Sequence, residues 1–311
     1  MALFNFDLAG AEWVLVAYLA NDQNMIDVVR SGKSPHTVTG ALISGLSEEM
    51  VLKDHKLIGD QTNPDEIQEL RREHLPELEA ARGQPGIFIP RSMSIRQAGK
   101  KSNHGLNYDM QYRRFALENE MPENDAKAIH ELYNTKAYPG LPGWRRGIQT
   151  ELKTNARVLT NPLGRKVRLL DEWGSDLLMA AYSFKPQSTV GDIVNEALVK
   201  IYRSQDPEFK DMLPGWAQKH DSLLLQSHSK SPYLGLWAST VRRLMSPLLT
   251  INGHEFRLGV DMKVGWNWGD MKEVPWTPDP VQLQRDISEA LSELRPLASA
   301  HRSGHDLVAV P

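Results

Sequence analysis

Four residues, Arg96, Lys100, His104 and Tyr108, recur at an unbroken spacing of four in the stretch RQAGKKSNHGLNYDM. Ser94 can cap a helix that starts at Ile95 or Arg96, and Pro90 supports a boundary just before it. In such a helix each step of four turns about 40° past a full circle, so the four side chains climb one face over roughly 18 Å. Two cations then precede two rings, the order of charge and surface in a triphosphate joined to a sugar and a base. The stripe is a candidate nucleotide clamp, with a solvated basic face as the alternative. Two acidic motifs, around Asp7 and Asp221, one on each side in sequence, favour the clamp.

The chain has 311 residues, 41% hydrophobic and 24% charged, enough for a large core in one domain or two interleaved ones. No apolar run approaches the roughly 18 residues of a membrane span, and the N-terminus lacks a basic region followed by an apolar signal core. The expected location is the cytoplasm, with no membrane partner. The absence of cysteine excludes disulfides, thiolate metal sites and cysteine nucleophiles. Any metal is left to carboxylates or histidines, which narrows the choice towards hard cations. A net charge of −3 argues against a wholesale cationic surface. From Arg91 to Arg168, however, 15 Lys and Arg stand against 7 Asp and Glu, a local excess of +8 that makes the middle of the chain the expected polyanion surface.

The opening MALFNFDLAGAEWVLVAYLA reads as a short strand ending in Asp7, then as a helix from about Gly10. Residues 46–95 are charged: EIQELRREHLPELEAAR reads as a surface helix broken near Pro76, followed by a GQPG turn, and the whole segment reads as peripheral. Further helices are expected over Met121 to Tyr133 and Trp144 to Thr154, with a strand, turn, strand at Arg157 to Leu170. An amphipathic helix is expected from Gln187 to Arg203, an acidic hairpin over Trp216 to Gln226, a helix from about Tyr233 to Leu248 and a final strand in FRLGVDMKVGW. The pattern is α+β, with helices inserted between strands and no internal repeat.

Asp7 and Asp221 lie more than 200 residues apart, each at the end or turn of an apolar strand-like segment. If those strands are neighbours, the two carboxylates can hold a pair of Mg2+ ions about 3.5 to 4 Å apart, which suits in-line displacement at phosphorus. A turn residue or helix cap is the structural alternative for either acid alone.

Taken together these segments resemble the polymerase core of family A DNA polymerases, the bacterial DNA polymerase I type. DLAGAEWVLVAYLANDQNMIDVVRSGKSPHTVTG (7–40) resembles motif A and its following helix, including Glu12 and His36-Thr37. RQAGKKSNHGLNYDM resembles motif B, the fingers helix, and KHDS (219–222) resembles motif C. NPLGRKVR (161–168), PQSTVGD (186–192) and MKVGWNWGDMK (262–272) also look similar.

The resemblance implies an antiparallel palm sheet with packed helices and an inserted, mainly helical fingers subdomain, without a thumb or exonuclease domain. The expected division is palm over 1–20, fingers over 21–169 with the motif B helix at 95–110, and palm again over 170–311. It further implies DNA-directed DNA polymerase activity with two Mg2+ ions, Mn2+ being the substitute, held by Asp7 and Asp221. Primer-template DNA and dNTPs are the implied partners. Arg96 and Lys100 would neutralise the triphosphate, Lys100 also serving as a proton donor to the leaving group. His104 and Tyr108 would meet the sugar and base, and Glu12 would wall off the sugar C2′ position. Arg165, Gln187 and His220 resemble positions that touch the DNA backbone or minor groove.

His104 stands where the family usually has Phe or Tyr, Asp109 replaces a common glycine and puts a negative charge near the template path, and Ser222 replaces the motif C glutamate. The segment 46–95 is longer than the family's usual link. Because the chain starts at motif A, the expectation is a second polypeptide supplying the thumb and upstream palm, as in a split, phage-encoded polymerase working in a bacterial or phage-infected host cell. The alternatives are a single-subunit RNA polymerase-like enzyme, since His-Asp-Ser is that group's usual motif C, and a non-catalytic DNA-binding subunit. The eight Trp are read as packing residues, and His130, His254, His301 and His305 as surface or core groups. The tail from Ala300 reads as loosely ordered, with an apolar end suited to docking on a partner.

Overall fold

The computed structural model describes residues 1–81, 88–210 and 212–295. The GQPG turn and the tail from Ala300 lie outside the described residues. Strand β1 (Ala2–Leu8) leads into α1 (Ala11–Leu19) through Gly10, whose φ of +57° suits a residue without a Cβ. There follow α2 (Gln23–Arg30), α3 (Pro35–Ser44), α4 (Glu48–Ile58), α5 (Pro64–Arg71), α6 (Leu75–Ala81) and α7 (Ile95–Leu106). Then come α8 (Tyr112–Glu118), α9 (Glu123–Leu132), α10 (Leu141–Thr154) and the hairpin of β2 (Val158–Thr160) and β3 (Lys166–Arg168). The 29-residue helix α11 (Ser175–Arg203) is followed by β4 (Met212–Lys219), β5 (Ser222–Ser227), α12 (Leu234–Met245), β6 (Leu249–Ile251) and β7 (His254–Phe256). The last elements are β8 (Val260–Gly265), β9 (Met271–Glu273) and α13 (Pro280–Glu293).

These elements form two compact units, Met1–Ala11 with Ser188 onward, and Glu12–Gln187. The first is built on a five-stranded sheet of order β4-β5-β1-β8-β9 in which every pairing is antiparallel. Strand β1 lies at its centre, paired with β5 and β8, and its residues alternate: Ala2, Phe4, Phe6 and Leu8 are buried while Leu3, Asn5 and Asp7 are half-buried. Trp237 of α12 meets Phe4 and Phe6 edge-on, with ring centroids 4.8 and 5.7 Å away. Burying each such aromatic is worth about 2–3 kcal/mol. Helix α13 comes close enough to α12 that a Cβ on Gly235 would lie 1.9 Å from the Pro280 carbonyl oxygen. The Gly235 N–H instead donates to Gln284 Oε1 at 2.7 Å.

The second unit is mainly helical, and α3 crossing α7 is its axis. A Cβ on Gly99 would meet the His36 carbonyl oxygen at 2.3 Å and the Gly40 nitrogen at 2.6 Å, so this crossing requires glycine. Around it, Thr39, Asn103, Asn107, Tyr133 and Tyr138 form a buried polar cluster. Asn103 Oδ1 accepts from Thr39 at 2.9 Å and from Tyr133 at 2.8 Å. Such a cluster fixes helix register, since a slip would strand buried polar atoms.

The structure is α+β, with an antiparallel sheet and a largely helical insertion, as expected. Several expectations are corrected. The amphipathic helix starts at Ser175, twelve residues before Gln187, because Pro186 sits inside it and imitates a helix start. The motif B helix ends at Leu106 instead of 110: the Tyr108 and Met110 N–H groups both turn back to the Gly105 carbonyl, and Asp109 takes φ +66°. Helix α13 was not foreseen, although Asp279 caps it and Leu283, Ile287, Ala290 and Leu291 line its buried face. The segment 46–95 is not solvated surface throughout, since Asp54 and Arg71 within it are 0% and 1% exposed.

Candidate active site

In the sheet unit, side-chain alternation sends Asp7 to the face opposite Phe4 and Phe6, where it is half-buried. In register it stands opposite Ser222 of β5 and Asp261 of β8. Strands β4 and β5 are joined at Lys219 and Ser222 by a two-residue turn, His220-Asp221, with His220 at φ +54°. The Leu8 N–H donates to the Asp221 carbonyl at 3.1 Å, so the fold makes neighbours of two acids from opposite ends of the sequence. The Ser222 hydroxyl donates to the Lys219 carbonyl at 2.9 Å and belongs to the turn. His220 is exposed.

Carboxylate oxygens are the donors a hard divalent cation prefers. Among the described residues no trio of acids or histidines is gathered as a ready metal cage. Two carboxylates alone fit Mg2+, which usually takes one or two protein carboxylates and leaves the rest of its octahedral shell to water and substrate oxygens. Asp261 was not singled out from the sequence. It is exposed opposite Asp7, and its charge also acts on Arg242, which stacks 3.7 Å from the Trp276 ring centroid.

In the helical unit, Ser94 Oγ accepts the Gln97 N–H at 3.3 Å and starts α7 as expected. Ile95, Ala98, Gly99, Ser102 and Asn103 are buried, which turns Arg96, Lys100 and His104 outward together. Lys100 and His104 are exposed and Arg96 is partly covered by His55, whose Nε2 lies 3.5 Å from the guanidinium. His36 stands behind this stripe, its ring centroid 6.2 Å from that of His104. Burial first, and then the charges of Arg96, His104 and Lys100, push its pKa down to about 3. His36 is therefore neutral, and Nδ1, 3.2 Å from the Asn103 amide, accepts while Nε2 carries the proton.

Tyr108 follows the helix in the next turn. Its hydroxyl donates to Glu12 Oε2 at 2.9 Å, and the Gln187 amide donates to the same oxygen at 3.3 Å. Burial, then the Glu12 charge, raises the phenol pKa well above its usual range, so it remains a donor. The structure thus brings Glu12, Tyr108 and Gln187 together. Arg165, exposed in the β2–β3 turn, is held to Asn161 by its carbonyl, which accepts the Asn161 N–H, and by its N–H, which donates to Asn161 Oδ1, each at 2.9 Å.

Asp109, the acid expected to put a negative charge near the template path, is paired with Arg145 at 2.5 Å. Arg145 is only 5% exposed and also donates to Asn134. The residue that replaces glycine therefore keeps the left-handed backbone, which Asp tolerates, and gains a buried partner.

Residues 90–270 match the family profile described as DNA polymerase family A, more than half of the chain. The thermostable DNA polymerase I of Thermus aquaticus is 23% identical over 281 residues, covering 87% of this chain and 27% of that protein. The thermostable DNA polymerase I of Thermus filiformis is 25% identical over 228 residues, 71% of this chain and 22% of that protein. The chain thus spans about a quarter of the length of these curated relatives. Among solved structures, the POL domain of Pol1 from M. smegmatis, in complex with DNA primer-template and dNTP, superposes with a TM-score of 0.58 at 18% identity. That alignment covers 85% of this chain and 39% of the other. On the extent of the family match, this chain belongs to DNA polymerase family A.

Proposed function

We propose that the chain carries out template-directed DNA synthesis, adding deoxynucleotides to a primer 3′ end by nucleotidyl transfer, with primer-template DNA and dNTPs as its partners. The observation that carries this reading is the hydrogen bond from Leu8 to the Asp221 carbonyl, which brings the turn holding Asp221 beside the end of the strand holding Asp7. The family membership and the M. smegmatis domain, solved with primer-template and dNTP, support it.

Asp7 and Asp221 would hold two Mg2+ ions, which when bound supply a Lewis acid for the phosphate oxygens and lower the pKa of the 3′ hydroxyl. In the reaction the 3′ oxygen bonds to the α-phosphorus as the bond to pyrophosphate breaks, and the hydroxyl proton leaves to water. Arg96 and Lys100 neutralise the triphosphate from one helix face, and the Lys100 ammonium gives a proton to the departing pyrophosphate. His104 offers a ring to the sugar. Glu12, held by Tyr108 and Gln187, presents a fixed carboxylate to the sugar C2′ position, where a ribonucleotide hydroxyl would clash. Arg165 and His220, both exposed, are assigned to the DNA backbone.

Single-nucleotide extension of a primed DNA template, with enzyme in excess and either dNTP or rNTP, tests this. Incorporation of the complementary dNTP is expected. Preference for rNTP would move the chain to an RNA polymerase-like activity, and no incorporation of either would leave only DNA binding.

A further inference from the structure

The segment between α3 and α7 contains the most enclosed ion pair among the described residues. Asp54 on α4 and Arg71 on α5 are 0% and 1% exposed and meet in a fork, Nε to Oδ1 at 2.7 Å and the second guanidinium nitrogen to Oδ2 at 2.9 Å. Neither group spends its remaining capacity within its own helix. Asp54 Oδ2 accepts the Ile95 N–H at 2.9 Å. Arg71 donates to the Pro90 carbonyl and, at 3.0 Å, to the Met93 carbonyl. The pair is therefore bonded to the backbone at 90, 93 and 95, the residues that lead directly into Arg96.

Two other contacts join the same places. His55, beside Asp54, lies 3.0 Å from the capping hydroxyl of Ser94 and 3.5 Å from Arg96. Leu46, Val51 and Leu78 pack with Ile95 in one apolar cluster. A buried ion pair contributes little net stability against an apolar pair of the same shape, whereas its fork and its backbone bonds hold the groups it joins in one geometry.

We propose that Asp54 and Arg71 are positioning residues for nucleotide binding, the charged segment acting as a brace that fixes the first turn of α7 and with it Arg96 and Lys100. This rests on the reading of α7 as the triphosphate-binding face. Displacing a binding cation by about 1 Å can cost up to roughly a hundredfold, so the brace acts on the nucleotide without touching it.

The test is steady-state dNTP incorporation by the full chain and its Arg71→Lys, Arg71→Gln and Arg96→Ala variants. It is paired with primer-template affinity by fluorescence anisotropy, and with hydrogen exchange at the Ile95 to Ala98 amides. Arg71→Lys keeps the charge and the stem and loses the fork, so it serves where Arg71→Gln does not fold. The expected result is a KM for dNTP raised about tenfold in a folded Arg71 variant, faster exchange at Ile95 and unchanged primer-template affinity. A folded variant with faster exchange at Ile95 and wild-type KM would overturn the brace, as would an equal loss of nucleotide and DNA affinity. An Arg96→Ala variant with wild-type KM would instead sink the reading of α7 itself.

Discussion

The Tyr108 hydroxyl donates a hydrogen bond to Glu12 Oε2 at 2.9 Å, joining the turn after α7 to the first turn of α1 across 96 residues of sequence. Burial and the Glu12 charge hold the phenol protonated, so it remains a hydrogen-bond donor. Replacing Glu12 by Ala removes the carboxylate assigned to the C2′ side of the sugar. Discrimination between dNTP and rNTP, read as the ratio of their kcat/KM values, is expected to fall at least about tenfold. Tyr108→Phe, which leaves the carboxylate in place with one bond fewer, is expected to produce the smaller loss.

The α3 and α7 crossing makes a second prediction with its own control. Gly99→Ala puts a Cβ against the His36 carbonyl and the Gly40 backbone, and overpacking of this kind costs about 1–3 kcal/mol. Gly147 lies inside α10 with nothing within 4 Å of an added Cβ. Gly147→Ala is expected to stabilise by about 0.4–1 kcal/mol. Thermal melts of the two variants should move in opposite directions.

His36 makes the acid limb of stability specific. Its folded pKa of about 3 lies below the unfolded value of 6.5. Its contribution is therefore present above pH 6.5 and lost as the pH falls from there towards 3, where the unfolded chain takes up the proton first. Urea midpoints measured between pH 7 and pH 4 should fall more steeply for the wild type than for His36→Gln.

At position 109 two effects can be separated. Asp109→Ala leaves the Arg145 guanidinium, 5% exposed, without its partner and keeps a Cβ at φ +66°, for an expected loss of about 2–3 kcal/mol. Asp109→Gly loses the same ion pair but relieves the backbone. Its denaturation midpoint should exceed that of Asp109→Ala by the equivalent of about 1 kcal/mol.

Much of this was legible in the sequence because the signals were local. Alternation in ALFNFDL made a strand with Asp7 on its outer face, Ser94 capped α7, and the four-residue spacing turned Arg96, Lys100 and His104 outward. What stayed hidden depended on tertiary partners. The segment 46–95 looks like solvated charge because nothing local says that Asp54 and Arg71 face each other seventeen residues apart. The partner of Asp109 was hidden for the same reason, lying 36 residues away. Pro186 misled in the opposite sense, marking a boundary where packing carries the helix through.

In the proposed reaction the neighbouring acids Asp7 and Asp221 would hold the metal ions on which the transfer depends. Single-turnover incorporation of one dNTP by the wild type, Asp7→Asn and Asp221→Asn measures it most directly, with circular dichroism confirming that each variant is folded. Each substitution is expected to lower the rate on the order of 10³-fold, equivalent to about 4 kcal/mol of lost charge stabilisation. A folded variant of either kind that incorporates within about twofold of the wild-type rate would contradict the assignment.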